Sequence, residues 1–138
     1  NRNTPGAGAA GGIGYAFMMF LNGMLRPGID IVLDEIGLEE KITQADLVIT
    51  GEGRLDAQTL MGKTPAGVAS LAKKYHKRVL AIAGCFGDDV IQCKQSGLFD
   101  DCLAVKDILS EQEQIHAMEK RNATAHLQKL VKQYFVNW

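Results

Sequence analysis

The chain has 138 residues, 46% of them hydrophobic, with 15 basic and 16 acidic side chains, which suits one domain with a sizeable core. The charges are scattered and form no basic block, so the electrostatic footprint of a nucleic-acid binder is missing. The longest apolar run, Ile13 to Leu25, is interrupted by Asn22 and Gly23 and falls short of the roughly 20 apolar residues that span a bilayer. Cys85, Cys93 and Cys102 form no C-x-x-C, and His76, His116 and His126 lack ligand spacing, so reduced thiols in a cytoplasmic protein are expected.

The chain begins at Asn1 rather than Met, and it is expected to be a piece of a longer protein. Asn1 to Gly12, NRNTPGAGAAGG, reads as a loop. Ile13 to Leu25 reads as a helix that is apolar nearly all round, a pattern that normally means burial on several sides. Pro27 and Gly28 end it. Ile29, Val32, Leu33 and Ile36 recur at i, i+3, i+4 and i+7, a short amphipathic helix stopped by Gly37. Leu38 to Ala45 holds another helical turn.

From Asp46 the pattern changes. Leu47 to Thr50 is a short apolar run, as expected of a buried parallel strand, and it leads into a turn built on Gly51 and Gly53. A second glycine turn follows at Gly62, and Thr64 then caps a helix with Pro65 at its first position. Arg78 to Ala83 is a second buried strand, ending in Gly84-Cys85-Phe86-Gly87. A helix is expected from Asp88 to Gln95, with Asp88 and Asp89 as its cap and first-turn acid, and a stop at Gly97. Asp101 to Val105 is a third, shorter strand. Ser110 and Glu113 form a capping box before a long helix whose apolar face includes Ile115, Met118, Leu127, Leu130, Val131 and Tyr134. The alternation from Asp46 onward predicts an α/β fold: an open, mostly parallel sheet with flanking helices, preceded by a helical segment. Three strands and an unpartnered apolar helix predict an incomplete domain.

Chemistry concentrates between Asp46 and Pro65. Gly51-Glu52-Gly53-Arg54-Leu55-Asp56 follows a strand, and ligands of open parallel sheets bind at the strands' C-terminal ends. Phosphoryl transfer needs a group to orient the attacking hydroxyl, carboxylates for Mg²⁺ and cations for the γ-phosphate. Asp56 or Glu52, together with Arg54 and Lys63, has that chemistry; a structural ion pair between Arg54 and a neighbouring carboxylate is the plainer alternative. Gly62-Lys63-Thr64 resembles the end of a phosphate-binding P-loop, but position 57 is Ala57 where glycine is required, so the P-loop reading fails. Lys63 before a helix start remains well placed for an anion. Gly6 to Gly11 matches G-x-G-x-x-G without a preceding strand. Gly8 and Gly11 there suit either a backbone approach to phosphate or close packing of a turn.

These residues resemble the bacterial glycerate kinases that phosphorylate D-glycerate with ATP. The resemblance rests on PGAGAAGGIGYA (Pro5 to Ala16), LRPGIDIVLD (Leu25 to Asp34), ADLVITGEGRLDAQTLMGKTPAGVA (Ala45 to Ala69) and VLAIAG (Val79 to Gly84), in that order. It weakens after Gly97. Family members are much longer, so the chain resembles a C-terminal part. The resemblance implies that residues 46–138 are the C-terminal part of a flavodoxin-like domain. Residues 1–45 then belong to, or cross from, a second domain, with the active site between the two. It also implies ATP and Mg²⁺ and the missing N-terminal portion as partner; no nucleic acid or membrane partner is expected from the charge pattern and the apolar run. The reaction implied is phosphorylation of glycerate, the 2-hydroxyl favoured, and the chain by itself is expected to be inactive. Carried onto this chain, the motif marks Glu52, Arg54, Asp56 and Lys63, with Gly51, Gly53 and Thr64 lining the same loop. Asp56 is the expected hydroxyl-orienting group, Glu52 a Mg²⁺ or substrate ligand, and Arg54 and Lys63 holders of carboxylate or phosphate. The rival from another class is a non-catalytic flavodoxin-like module that holds a nucleotide or metabolite for regulation.

Overall fold

The computed structural model describes residues 3–115 and 120–136. Its elements are α1 (Ala9–Phe20), α2 (Gly28–Glu35), α3 (Leu38–Gln44), β1 (Leu47–Leu55), α4 (Thr64–Lys74), β2 (Arg78–Phe86), α5 (Ile91–Gln95), β3 (Asp101–Ala104), α6 (Glu111–Ile115) and α7 (Lys120–Phe135). Short 3-10 turns at Ala57–Leu60 and Val105–Ile108 follow β1 and β3. The strands form one sheet in the order β1-β2-β3, parallel throughout. This is the α/β fold expected from strands that alternate with helices.

The core lies between the sheet and α3, α4 and α5. Val48, Leu55, Val79 and Ala81 from the strands meet Ile42 of α3, Ala69 and Ala72 of α4, and Cys93 of α5. The two alanines let α4 come close to the sheet. Ile42 ties the segment before residue 46 into the same core. On α4, Gly67 leaves room for α2, since a Cβ there would fall 2.3 Å from Ile29 Cγ1. Asp100 locks the start of β2: its carboxylate accepts from Val79 N–H and from Lys73 Nζ, both at 2.6 Å. Burial pushes that carboxyl up, but these two donors outweigh it and hold the group below its ordinary value.

The other sheet face is covered less closely. Ile49 is 51% exposed, so the run at 47–49 is not buried on both sides as its composition suggests. α7 overlooks this face across a cavity of about 460 Å³ lined by Ile49, Gly51, Ile82, Val105, Ala123 and Leu127.

Several boundaries differ from expectation. β1 does not turn at Gly51 and Gly53 but runs on to Leu55. β2 likewise continues past Ala83 to Phe86, and the two extensions pair, Gly51 with Ile82 and Arg54 with Cys85. The first extension looks like a loop by itself because it is rich in glycine and charge, and the second because it lies between Gly84 and Gly87; each is held extended by the other's backbone. Lys63, not Thr64, is the N-cap of α4, so Thr64 is its first helical residue. α5 starts at Ile91 with Val90 as its cap, and Asp89 instead accepts a hydrogen bond from Ala57 N–H at 3.1 Å.

α1 is irregular at Ala10, Gly11 and Gly12, whose φ values are 50°, 69° and 99°. It stops at Phe20 because Asn22 turns left-handed at φ 50°, which lets Gly23 N–H bond back to Phe17 O. Phe17, Phe20, Leu21 and Met24 stay exposed, so the burial expected of this apolar segment is not supplied by the described residues. At the other end, Ser110 and Glu113 do form their capping box. The Ser110 N–H and hydroxyl, with Lys129, hold the Glu113 carboxyl down to about 2. The expected long helix is seen as α6 and α7; Met118 lies outside the described residues. Leu130 is buried, and Tyr134 OH donates to Asp101 at 2.6 Å.

The extended pairing separates two glycines that look alike in the sequence. A Cβ on Gly51 would lie 2.2 Å from Ile82 O, a backbone atom that cannot move aside, while a Cβ on Gly53 meets nothing within 4 Å. Gly51→Ala is therefore expected to destabilise by about 1–3 kcal/mol through overpacking. Gly53→Ala should stay within about 0.5 kcal/mol of the parent. Denaturant unfolding of both variants checks this, and equal stabilities would contradict the register.

Candidate active site

The strand extension changes how the charged residues are presented. Glu52 and Arg54 project from β1 itself, and Asp56 sits one residue beyond its end. Residues two apart on a strand share a face, so Glu52 and Arg54 point the same way. Lys63 approaches from the start of α4, placed there by Gly62, whose φ of +88° is the left-handed region that glycine enters at little cost.

Lys63 Nζ lies 3.9 Å from Glu52 Oε2 and 3.7 Å from Asp56 Oδ1, so one ammonium faces both carboxylates. Arg54 Nε lies 3.6 Å from Asp56 Oδ2. The carboxylates are sheltered, with side chains 19% and 16% exposed for Glu52 and Asp56, while Arg54 and Lys63 reach outward at 59% and 41%. All three ion pairs are longer than a hydrogen bond. Pairs of this kind are worth roughly 0–1 kcal/mol, so an anionic ligand can replace a carboxylate as the cations' partner at little cost.

Beneath the charges lies a firmer framework. The fully buried Thr59 accepts from Asp56 N–H at 3.2 Å and donates its hydroxyl to Glu52 Oε1. One side chain thus fixes the backbone of one acid and the carboxylate of the other. Asp56 Oδ1 caps the 3-10 turn by accepting from Gln58 N–H at 3.0 Å. Asp56 O accepts from the Cys93 thiol at 3.0 Å. Burial, and then the charges of Asp56, Asp89 and Glu52, push that thiol up, which keeps it protonated as a donor. Gly87 closes the base: its N–H bonds Leu55 O at 2.8 Å, and a Cβ on it would come within 2.7 Å of Asp56 Cβ.

Glu52, Arg54, Asp56 and Lys63 are therefore brought together at the C-terminal end of β1, with Gly51 and Thr64 beside them. Gly51, Glu52, Lys63 and Thr64 also line a cavity of about 780 Å³ whose far wall is the apolar side of α2. Gly53 lines a different cavity, with Arg54. Gly8 and Gly11 are not drawn into the cluster; the hydrogen bonds of their loop are internal, Ala7 N–H to Thr4 O and Ala9 N–H to Gly6 O. Among the described residues no group of three or more acidic, thiol or imidazole side chains could hold a metal alone. Glu52 and Asp56 do fit the one or two carboxylates by which Mg²⁺ is held together with substrate phosphates. Thr59 is the residue sequence reading missed. Its signal was the D-x-x-T spacing from Asp56, a capping box inside a stretch read as a loop.

Residues 1–136 match the glycerate kinase family. The chain is 55% identical over 97 residues to Glycerate 2-kinase of Escherichia coli strain K12, covering 70% of the chain and 26% of that protein. It is 39% identical over 123 residues to Glycerate kinase of Neisseria meningitidis serogroup B, covering 89% of the chain and 32% of that protein. A crystal structure named for glycerate kinase 2 of Salmonella typhimurium LT2 superposes with a TM-score of 0.56 at 41% identity, over 90% of the chain and 33% of the other. The chain thus spans a quarter to a third of the length of these relatives.

Replacing Thr59 by valine keeps the shape and removes the hydroxyl. Because Asp56 N–H and Glu52 Oε1 both lose a partner, a loss of about 1–3 kcal/mol is expected. Thr59→Ser should recover most of it. Chemical denaturation measures both, and a valine variant as stable as the parent would contradict the bridging role.

Proposed function

The chain belongs to the glycerate kinase family, and we propose that it supplies one wall of an active site that transfers the γ-phosphoryl group of ATP to D-glycerate. The observation that carries this is the cluster itself: two sheltered carboxylates and two outward cations, linked by three cation–carboxylate contacts of 3.6–3.9 Å, at a strand's C-terminal end. The relative named a glycerate 2-kinase, at 55% identity, supports the 2-hydroxyl as acceptor and 2-phosphoglycerate as product. The remaining walls belong to the portion of the longer protein that precedes this chain, with residues 1–45 leading from that second domain. The chain alone is therefore inactive. The three unpaired cysteines support a cytoplasmic setting.

In this reading Asp56 orients the substrate hydroxyl and accepts its proton as the bond to phosphorus forms and the bridge to ADP breaks. Its Oδ1 is already engaged by Gln58 N–H, which holds the carboxylate still. Glu52 keeps Oε1 on Thr59 and turns Oε2 outward, toward Mg²⁺ or substrate. Bound there with the nucleotide, Mg²⁺ would neutralise charge developing on the phosphate oxygens. Arg54 and Lys63 hold oxyanions, Arg54 having the forked geometry that suits a carboxylate. Gly51, Gly53 and Thr64 let backbone approach the ligand, and Gly8 and Gly11 offer backbone N–H groups to phosphate across the domain interface.

Asp56→Asn tests the assignment cleanly, because asparagine is an equally good cap for the 3-10 turn. In the longer protein it is expected to lower kcat by roughly 10²–10⁴-fold, with an unchanged melting temperature. Near-normal kcat would remove Asp56 from the chemistry.

A further inference from the structure

The ends of β1 and β2 and the turn after β3 open onto a second cavity, beside the cluster of acids. It has a volume of about 730 Å³. β1 contributes Gly53 and Arg54, β2 contributes Gly84 and Cys85, and the turn after β3 contributes Lys106. Two cationic residues thus line it, and among the described residues no acidic one does. Its glycines leave the backbone bare on that side. Among the described residues, Arg54 has its 3.6 Å contact with Asp56 as its one ion pair, and Lys106 has none. The turn that carries Lys106 is fixed independently. Gln114 donates from α6 to Lys106 O at 3.3 Å and to Leu109 O at 3.2 Å, and the Ser110–Glu113 box anchors α6. Lys106 is exposed, and a lysine without an ion-pair partner among the described residues, on a braced turn and across a cavity from an arginine, is available to an anion.

We propose that Lys106 and Arg54 form an oxyanion subsite over the strand ends. It binds an anionic group of one substrate, a phosphate of the nucleotide or the carboxylate of the hydroxy acid. This rests on the proposed kinase reading and adds to it a binding residue outside the Gly51-to-Lys63 stretch. Lys106 follows a different strand from the motif, and sequence patterning alone treats it as a solvated charge.

The test is Lys106→Gln in the full-length protein, with Lys106→Arg as the charge-preserving control. Affinities for ADP, inorganic pyrophosphate and D-glycerate are measured separately by titration calorimetry. Losing one charge-assisted hydrogen bond is expected to weaken one ligand by roughly ten- to a hundredfold. Weakened ADP and pyrophosphate identify the subsite as one for nucleotide phosphate; weakened glycerate alone identifies it as one for the carboxylate. Lys106→Arg should retain most of the affinity. Affinities for all three ligands within twofold of the parent would overturn the subsite. Absence of ADP release from the parent protein would instead count against the kinase reading, while pyrophosphate binding that depends on Lys106 would still uphold the subsite.

Discussion

The register between β1 and β2 decides where the charged side chains of the candidate site stand. Because Gly51 lies against Ile82 and Arg54 against Cys85, the strands stay paired to Leu55 and Phe86. That pairing lifts Glu52 and Arg54 off a flexible loop and fixes them on a sheet. It also delivers Asp56 at the point where the chain first leaves the ladder. A glycine is required at 51 because β2 passes too close for any side chain. The same closeness makes the last two turns of the ladder rigid enough to carry charge.

The site combines a firm base with loose charges. Thr59, Gly87, Asp89 and Cys93 hold the backbone around Asp56 through hydrogen bonds of 2.8–3.2 Å. The ion pairs above them are long and partly exposed. A resting site that paired its acids and cations tightly would have to break those pairs on binding, at a cost taken from affinity. Here the cations already face outward, and their carboxylate partners are weak competitors for an incoming phosphate or carboxylate. The acids remain oriented because Thr59 and Gln58 hold them by other atoms.

Much of the fold was legible in the residues. Alternating strand and helix patterns from Asp46 onward gave the order of elements, and apolar runs located all three strands. The motif residues Glu52, Arg54, Asp56 and Lys63 stood out because their charges sit between glycines. Strand ends were not legible, because GEGRL and GCF carry no strand signature alone and become extended only by pairing with each other. Thr59 escaped notice because a buried hydroxyl between two acids looks, in sequence, like an ordinary loop threonine. Lys106 escaped because its neighbourhood is built from three strands far apart in the chain. Phe17, Phe20 and Met24 read as core and stand exposed; their partners are not among the described residues.

The proposed kinase site depends on a second wall outside these 138 residues. The decisive measurement is ADP release with ATP, Mg²⁺ and D-glycerate, comparing the longer protein with the 138 residues alone. Glycerate-dependent release from the longer protein and none from the shorter chain is the expected result. Turnover by the 138 residues alone, or a longer protein that binds ATP yet releases no ADP with glycerate, would contradict it.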